Sequence, residues 1–262
     1  MIKFFRHIRK HFVAESPPEQ RSRAGKYLLY AIGEIILVVI GILIALQINT
    51  WNENRKNSIE EKVVLENLLS NLNLAKKQSE QLISEEEILK IRIIRILGIE
   101  SSENNTAHQM IPDSIFKSAV WDLQSDQPTF NAYNTLKNTN KLSLIKSKTI
   151  NEKFTDLEFR LNKLNDILED RLSVHQIRID DILEKEINFI PLVKANVPEI
   201  NIDLEQPNAY AEVLKNKRIR NLLGMKLTFT QDVIDRRENL DAEIISLITL
   251  IERELNKKLE LK

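Results

Sequence analysis

The strongest pattern in the chain is an apolar run near the N-terminus. It reads Tyr27-Leu-Leu-Tyr-Ala-Ile-Gly-Glu-Ile-Ile-Leu-Val-Val-Ile-Gly-Ile-Leu-Ile-Ala-Leu-Gln-Ile48, 22 residues with a single charge at Glu34. At ~1.5 Å per residue the run spans about 33 Å as a helix, enough for a ~30 Å hydrocarbon core. A core helix of a soluble bundle keeps a polar face, and this run has none. A cleaved signal peptide would have a shorter apolar region, roughly 7–15 residues, and would end in a small-residue cleavage site. Ala45-Leu-Gln-Ile48 is a poor match to such a site. Tyr27 and Tyr30 at one end and Trp51 at the other stand where interface anchors stand. The pattern therefore predicts an uncleaved transmembrane helix over residues 27–48.

Beyond the run the period changes. Leu65, Leu68, Leu72, Ala75, Ser79, Leu82, Glu86, Leu89, Ile93 and Ile96 step by three and four, a heptad seam with two polar members. Leu69, Ile83, Ile94 and Leu97 widen it to the stripe of a bundle helix. Nothing between Trp51 and Ile59 forces a break, so this helix is free to continue the membrane helix. Residues 98–111 read as a polar loop. Pro112 opens a short helix that takes in Trp121 and Leu123, and Gln127-Pro-Thr opens another. A second long helix is predicted over about 148–190, with Ile150, Phe154, Leu157, Leu161, Leu164 and Leu168 inward. A stutter at Leu168–Leu172 then moves its seam to His175, Ile179 and Ile182. Residues 191–207 form a proline-rich turn. A last long helix begins near 208 or 217 and runs to 258, with Phe229, Val233, Leu240, Ile244, Leu247 and Ile251 inward. The fold class is all-α: one N-terminal transmembrane helix, then an antiparallel bundle with coiled-coil-like long helices.

Charge orients this scheme. The net charge is zero, yet residues 1–26 hold seven basic and two acidic groups, while residues 49–262 hold 31 basic and 35 acidic ones. The positive-inside rule places residues 1–26 in the cytoplasm and 49–262 outside. In a bacterium that is the inner membrane and the periplasm. Ile2, Phe5, Ile8 and Phe12 face away from Lys3, Arg6, His7 and Lys10, as in a basic amphipathic segment resting on an anionic leaflet. His7 and His11 stand at i, i+4, but no carboxylate ligand accompanies them.

Glu34 needs an account, because an ionisable group at membrane depth is expensive. Glu34, Gly41 and Ala45 fall within about 20° of one azimuth on a helix. Gly41 and Ala45 form a small-xxx-small pair. One reading is a helix-association face with Glu34 protonated or hydrogen-bonded across it. A second is a carboxylate at the cytoplasmic headgroups, and a third, proton relay or ion conduction, lacks a pathway with one carboxyl in one helix.

Composition removes most chemistry. There is no cysteine, so thiolate metal sites, disulfides and cysteine nucleophiles are absent, and an oxidising compartment is tolerated. Five glycines stand where about 18 would be usual, which leaves no phosphate-cradling loop. No Glu-x-x-His pair, as di-iron bundles need, occurs. His108 stands alone in a loop, and His175 on a seam reads as a buried, hydrogen-bonded core histidine. Glu85-Glu86-Glu87 reads as a solvated run, with Glu86 a register-setting polar site. Trp121, Phe130 and Tyr133 read as core rather than a ligand pocket. No catalytic residue, metal or cofactor is expected, and the acidic external part disfavours nucleic acid.

Met1-Ile-Lys-Phe-Phe-Arg, Lys26-Tyr-Leu-Leu-Tyr-Ala-Ile-Gly-Glu with the apolar run, and Trp51-Asn-Glu together resemble a family of single-pass proteins from Bacteroidetes-type bacteria, known only as a domain of unknown function. Tyr133-Asn-Thr-Leu-Lys and Leu142-Ser-Leu-Ile are similar to its weaker internal motifs. The resemblance implies a membrane anchor with a helical periplasmic domain. It supplies no activity. Two function classes follow. One is a membrane-anchored interaction or sensory protein that contacts lipid and self-associates. The other is a structural or accessory subunit that works with other envelope proteins.

Overall fold

The computed structural model describes residues 23–100 and 111–260, with side chains from Ala31 onward except Leu183, Leu259 and Glu260. The basic amphipathic segment up to residue 22, His7, His11, His108 and the side chains of Tyr27 and Tyr30 lie outside the described residues. The chain divides into two units, Met1–Ile59 and Glu60–Lys262, each described here by itself. Among the described residues every regular element is helical.

Helix α1 is Arg23–Leu97. It ends at Gly98, whose φ of 62° only glycine adopts without cost. The Gly98 amide donates to the Arg95 carbonyl (3.1 Å) and the Ile99 amide to the Ile94 carbonyl (3.3 Å), a Schellman closure of the last turn. Two short helices follow, α2 (Asp113–Val120) and α3 (Asn131–Asn138), then a 3-10 turn at Lys141–Leu144. Helix α4 (Lys148–Val174) is capped by the Ser147 hydroxyl, which accepts from the Ile150 amide at 3.4 Å. A π-turn (His175–Ile179) joins it to α5 (Asp180–Glu186). Single-turn helices α6 (Ile190–Val193) and α7 (Tyr210–Val213) interrupt the proline-rich segment, and α8 (Lys217–Glu260) completes the chain.

Every member of the α1 seam read from the sequence, from Leu65 to Ile96, is buried. Glu61 extends it by one step and is also buried. The Lys146 amide donates to Glu61 at 2.8 Å and the Lys258 ammonium at 2.6 Å. Near the other end of the bundle the Arg220 guanidinium donates to the Leu97 carbonyl (3.0 Å). In the Glu60–Lys262 unit, α4 thus runs parallel to α1, and α8 runs antiparallel to both. The returning column is built from α2, residues 121–129 and α3, so neighbouring columns alternate in direction, as an antiparallel bundle requires.

The structure corrects three details of the sequence reading. The stepping of α4 continues unbroken through Leu164, Leu168, Arg171 and His175. Arg171 is buried where Leu172 was expected, and Leu172 is 38% exposed. The register change falls at the π-turn, whose wider ring absorbs one extra residue before Ile179 and Ile182 turn inward. On α8 the inward positions are Lys226, Thr230, Val233, Arg237 and Leu240, and Phe229 is only half-buried. Finally, α2 stops at Val120, so Trp121 and Leu123 lie outside it.

The bundle has two apolar cores. The first joins Leu65, Leu68, Leu72 and Ala75 of α1 to Phe130, Tyr133, the α4 residues Ile150–Leu168 and the α8 residues Val233–Ile251. Tyr133 stacks on Phe154 with ring centroids 4.3 Å apart. The second joins Leu89, Ile93, Ile96 and Leu97 to α2, Ile179, Ile182, Tyr210 and the start of α8. Phe116 stacks on Tyr210 at 4.0 Å, and the Tyr210 hydroxyl donates to Asp113 at 2.6 Å. Phe130 and Tyr133 are buried in the first core as expected, but Trp121 is 38% exposed, against Phe189 (5.0 Å) and His175 (5.9 Å).

Candidate functional site

In the Met1–Ile59 unit the site is the apolar helix itself. Its best 18-residue window has a mean hydropathy of 2.6 and none of it is buried, so α1 is long and apolar enough to cross a membrane. Glu34, Gly41 and Ala45 lie on it with exposed side-chain positions. A β-carbon at Gly41 would meet nothing within 4 Å. Trp51 is exposed, and the Arg55 guanidinium lies 5.8 Å from its ring centroid. The Asn49 side chain donates to Glu53 at 3.1 Å.

The Glu60–Lys262 unit holds a second feature, a polar belt between its two cores. Its origin is a break in the returning column. Trp121 leaves α2 as its αR C-cap and residues 122–129 carry no regular structure, with Pro128 disfavouring helix at Gln127 and unable to donate. The last carbonyls of α2 and those of the extended strap then lack helical donors. Among the described residues, no backbone–backbone hydrogen bond involves residues 123–129.

Buried cations supply the donors instead. The Lys226 ammonium donates to the Val120 carbonyl (2.7 Å) and the Asp122 carbonyl (2.9 Å). Arg171 donates to the Gln124 carbonyl, and Arg237 to the Asp126 carbonyl at 3.0 Å. Alternate carbonyls at 120, 122, 124 and 126 thus face inward, the period of an extended chain. A cation beside the Val120 carbonyl also meets the negative end of the α2 dipole.

One carboxylate neutralises part of this charge. Arg171 binds Glu86 in bidentate fashion, at 2.7 and 2.8 Å, and Arg237 lies 3.6 Å from the same carboxylate. Glu86 is therefore an internal anchor rather than part of a solvated run. Its neighbour Glu85 accepts from Gln81 and Gln124, and these bonds hold its carboxyl below the usual range. Burial, and then Arg171, push the Lys226 ammonium down to about 7. Burial also lowers Arg237, against the pull of Glu86.

His175 is buried as expected, but it is not well partnered. Its Nε2 lies 3.5 Å from Asp180, and its Nδ1 finds no hydrogen-bond partner among the described residues. Burial, Lys226 and Arg171 push it down to about 4, so it is neutral near pH 7. Among the described residues no group of His, Asp and Glu is placed to hold a metal ion.

Position is the one signal in the sequence for Arg171, Lys226 and Arg237, since each stands on a three-four seam, between Leu168 and His175, between Leu223 and Thr230, and between Val233 and Leu240.

Residues 34–109 match the family described as Family of unknown function (DUF6090). The matched stretch begins at Glu34 and takes in Gly41, Ala45, Trp51 and the entire α1 seam through Glu86 and Ile96. No curated protein matches the chain, and no solved structure does.

Proposed function

We propose that the chain is a non-enzymatic membrane-anchored protein whose helical bundle serves as an interaction or sensory module outside the cytoplasm. One observation carries this reading: a wholly unburied apolar helix in the same chain as a bundle with its own two cores. Lipid is the natural cover for the first, and water for the outer faces of the second. The basic balance of residues 1–26 supports a cytoplasmic N-terminus in a bacterial inner membrane. The small-xxx-small pair Gly41 and Ala45 supports association of the span with a second copy, with Glu34 shielded at the contact.

Fractionation of cells expressing the full chain tests the anchor. The protein should stay with membranes through an alkaline wash, and its release would sink the reading. Orientation is tested by a Ser125→Cys variant, which offers an exposed thiol in a chain that has no other. An impermeant maleimide should label it once the outer membrane is opened, without lysis of the inner one. Crosslinking in membranes tests self-association: Glu34→Ala and Gly41→Ile should each reduce the dimer yield. An unchanged yield in both variants refutes the shared face. If the chain instead co-purifies in fixed ratio with foreign envelope proteins, it is an accessory subunit.

A further inference from the structure

We propose that the strap of residues 121–129 is a latch, which lifts from the bundle as a unit while both apolar cores stay folded. Lifting uncovers Arg171, Lys226 and Arg237 as a cationic cleft.

The argument begins with how the strap is held. Its ends are pinned in different cores, at Phe116, Ala119 and Val120 in the second and at Phe130 and Tyr133 in the first. Between those ends its attachments are mostly polar, the exception being Trp121, which packs on Phe189 (5.0 Å) and His175 (5.9 Å). Besides the carbonyls of Asp122, Gln124 and Asp126, which buried cations bind along with that of Val120 at the near end, Gln124 donates to Glu85 and Gln127 to Asn165. The Thr129 amide donates to Gln78 at 2.9 Å, and the Asn71 side chain donates to the Thr129 carbonyl at 3.3 Å. Pro128 alone is buried in the strap, while Trp121, Asp122, Ser125, Asp126 and Thr129 are exposed.

Polar attachments of this kind are gained and lost at little net free energy. Each bond that breaks on lifting is replaced by water on both the carbonyl and the cation. The three cations also recover hydration that burial against a single carboxylate denies them. The cores have no such compensation, because opening them exposes apolar surface. The strap therefore belongs to the low end of the opening free energies within this fold. Its pinned ends let it bow outward without unravelling α2 or α3.

Single cysteines in the full-length, detergent-solubilised chain test this directly, since there is no native thiol. Thr230 is buried on the α8 seam one turn from Lys226, and its hydroxyl donates to the Lys226 carbonyl at 2.9 Å. Ala75 is equally buried, in the first core. Alkylation of Thr230→Cys should be at least about tenfold faster than that of Ala75→Cys, and less dependent on urea, because local opening exposes little surface. Adding Lys226→Met, which removes two of the four carbonyl contacts, should speed the first at least about threefold and leave the second unchanged. If Thr230→Cys does not fold, Ser79→Cys, buried on the α1 seam, takes its place. Equal rates and equal urea dependence at belt and core overturn the latch, as does a Lys226→Met effect shared by both positions.

Discussion

The two apolar cores and the belt between them share helices α1 and α8 but are built by opposite means. In the cores, seam positions are leucine, isoleucine, valine and phenylalanine, and contact is non-directional. In the belt, the same seam positions carry Glu86, Arg171, His175, Lys226, Thr230 and Arg237. The difference traces to the fourth column. Where that column is helical, its backbone is satisfied internally and the facing positions are apolar. Where it is extended, its carbonyls need donors, and the long helices supply cations. The polar residues of this bundle are thus a response to a broken helix. The comparison is sharpest when each region is perturbed in turn.

The largest loss is expected at Glu86. Glu86→Gln leaves two buried guanidinium groups without their shared anion, at a cost of about 4 kcal/mol. Urea unfolding of the solubilised chain measures it, and a loss under ~1 kcal/mol would mean that the strap carbonyls alone can hold Arg171 and Arg237.

A core residue should cost somewhat less, and should cost the same in either core. Leu157 and Leu223 are both fully buried, one in each. Leu157→Ala and Leu223→Ala should each destabilise by about 3 kcal/mol, through lost burial plus the cavity left behind. Separate transitions for the two variants would show that the cores unfold independently.

These two tests also mark what could be read from the sequence. The α1 seam was fully legible, all ten positions from Leu65 to Ile96, because three-four stepping states which side chains share a face whatever their chemistry. On α4 and α8 the seams read from apolar residues alone place Leu172 and Phe229 inward, whereas continued three-four stepping buries Arg171, Lys226 and Thr230. Stepping was the better guide. What no residue letter encodes is a backbone carbonyl without a donor, so the belt's purpose became visible only with the strap in place. The π-turn was similarly half-legible: a register change was needed, but its position was not. The apolar helix of residues 27–48 was legible from hydropathy alone.

Acid should weaken the belt and leave the cores alone. The His175 pKa falls from its ordinary 6.5 to about 4 on folding. Below pH 4 both states are protonated, and above 6.5 both are neutral. Between the two the unfolded chain binds the extra proton, so this histidine's contribution to stability is full above pH 6.5 and is lost as pH falls towards 4. The loss is about 3 kcal/mol, and His175→Leu should flatten that part of the stability profile. An identical profile in the variant would locate the acid sensitivity elsewhere.

Lys226 has the same sign in a different window. Its pKa falls from 10.5 to about 7, so stability rises between those values as pH increases. Lys226→Met should remove that rise. At pH 7 it should change stability by only about 1 kcal/mol in either direction, since the desolvation penalty disappears along with two hydrogen bonds.

The smallest effect separates the two readings of α4. If Leu172 were the inward member, Leu172→Ala would cost as much as Leu157→Ala. The structure leaves Leu172 partly in solvent and places Arg171 inside. Leu172→Ala should therefore change stability by about 0.5 kcal/mol or less, the usual range for surface positions. A loss near 3 kcal/mol would restore the stutter at 168–172, turn Arg171 out to solvent, and leave Glu86 with only the long contact from Arg237. The belt as described stands or falls with that comparison, because Arg171 is the residue that joins the carboxylate on α1 to the strap.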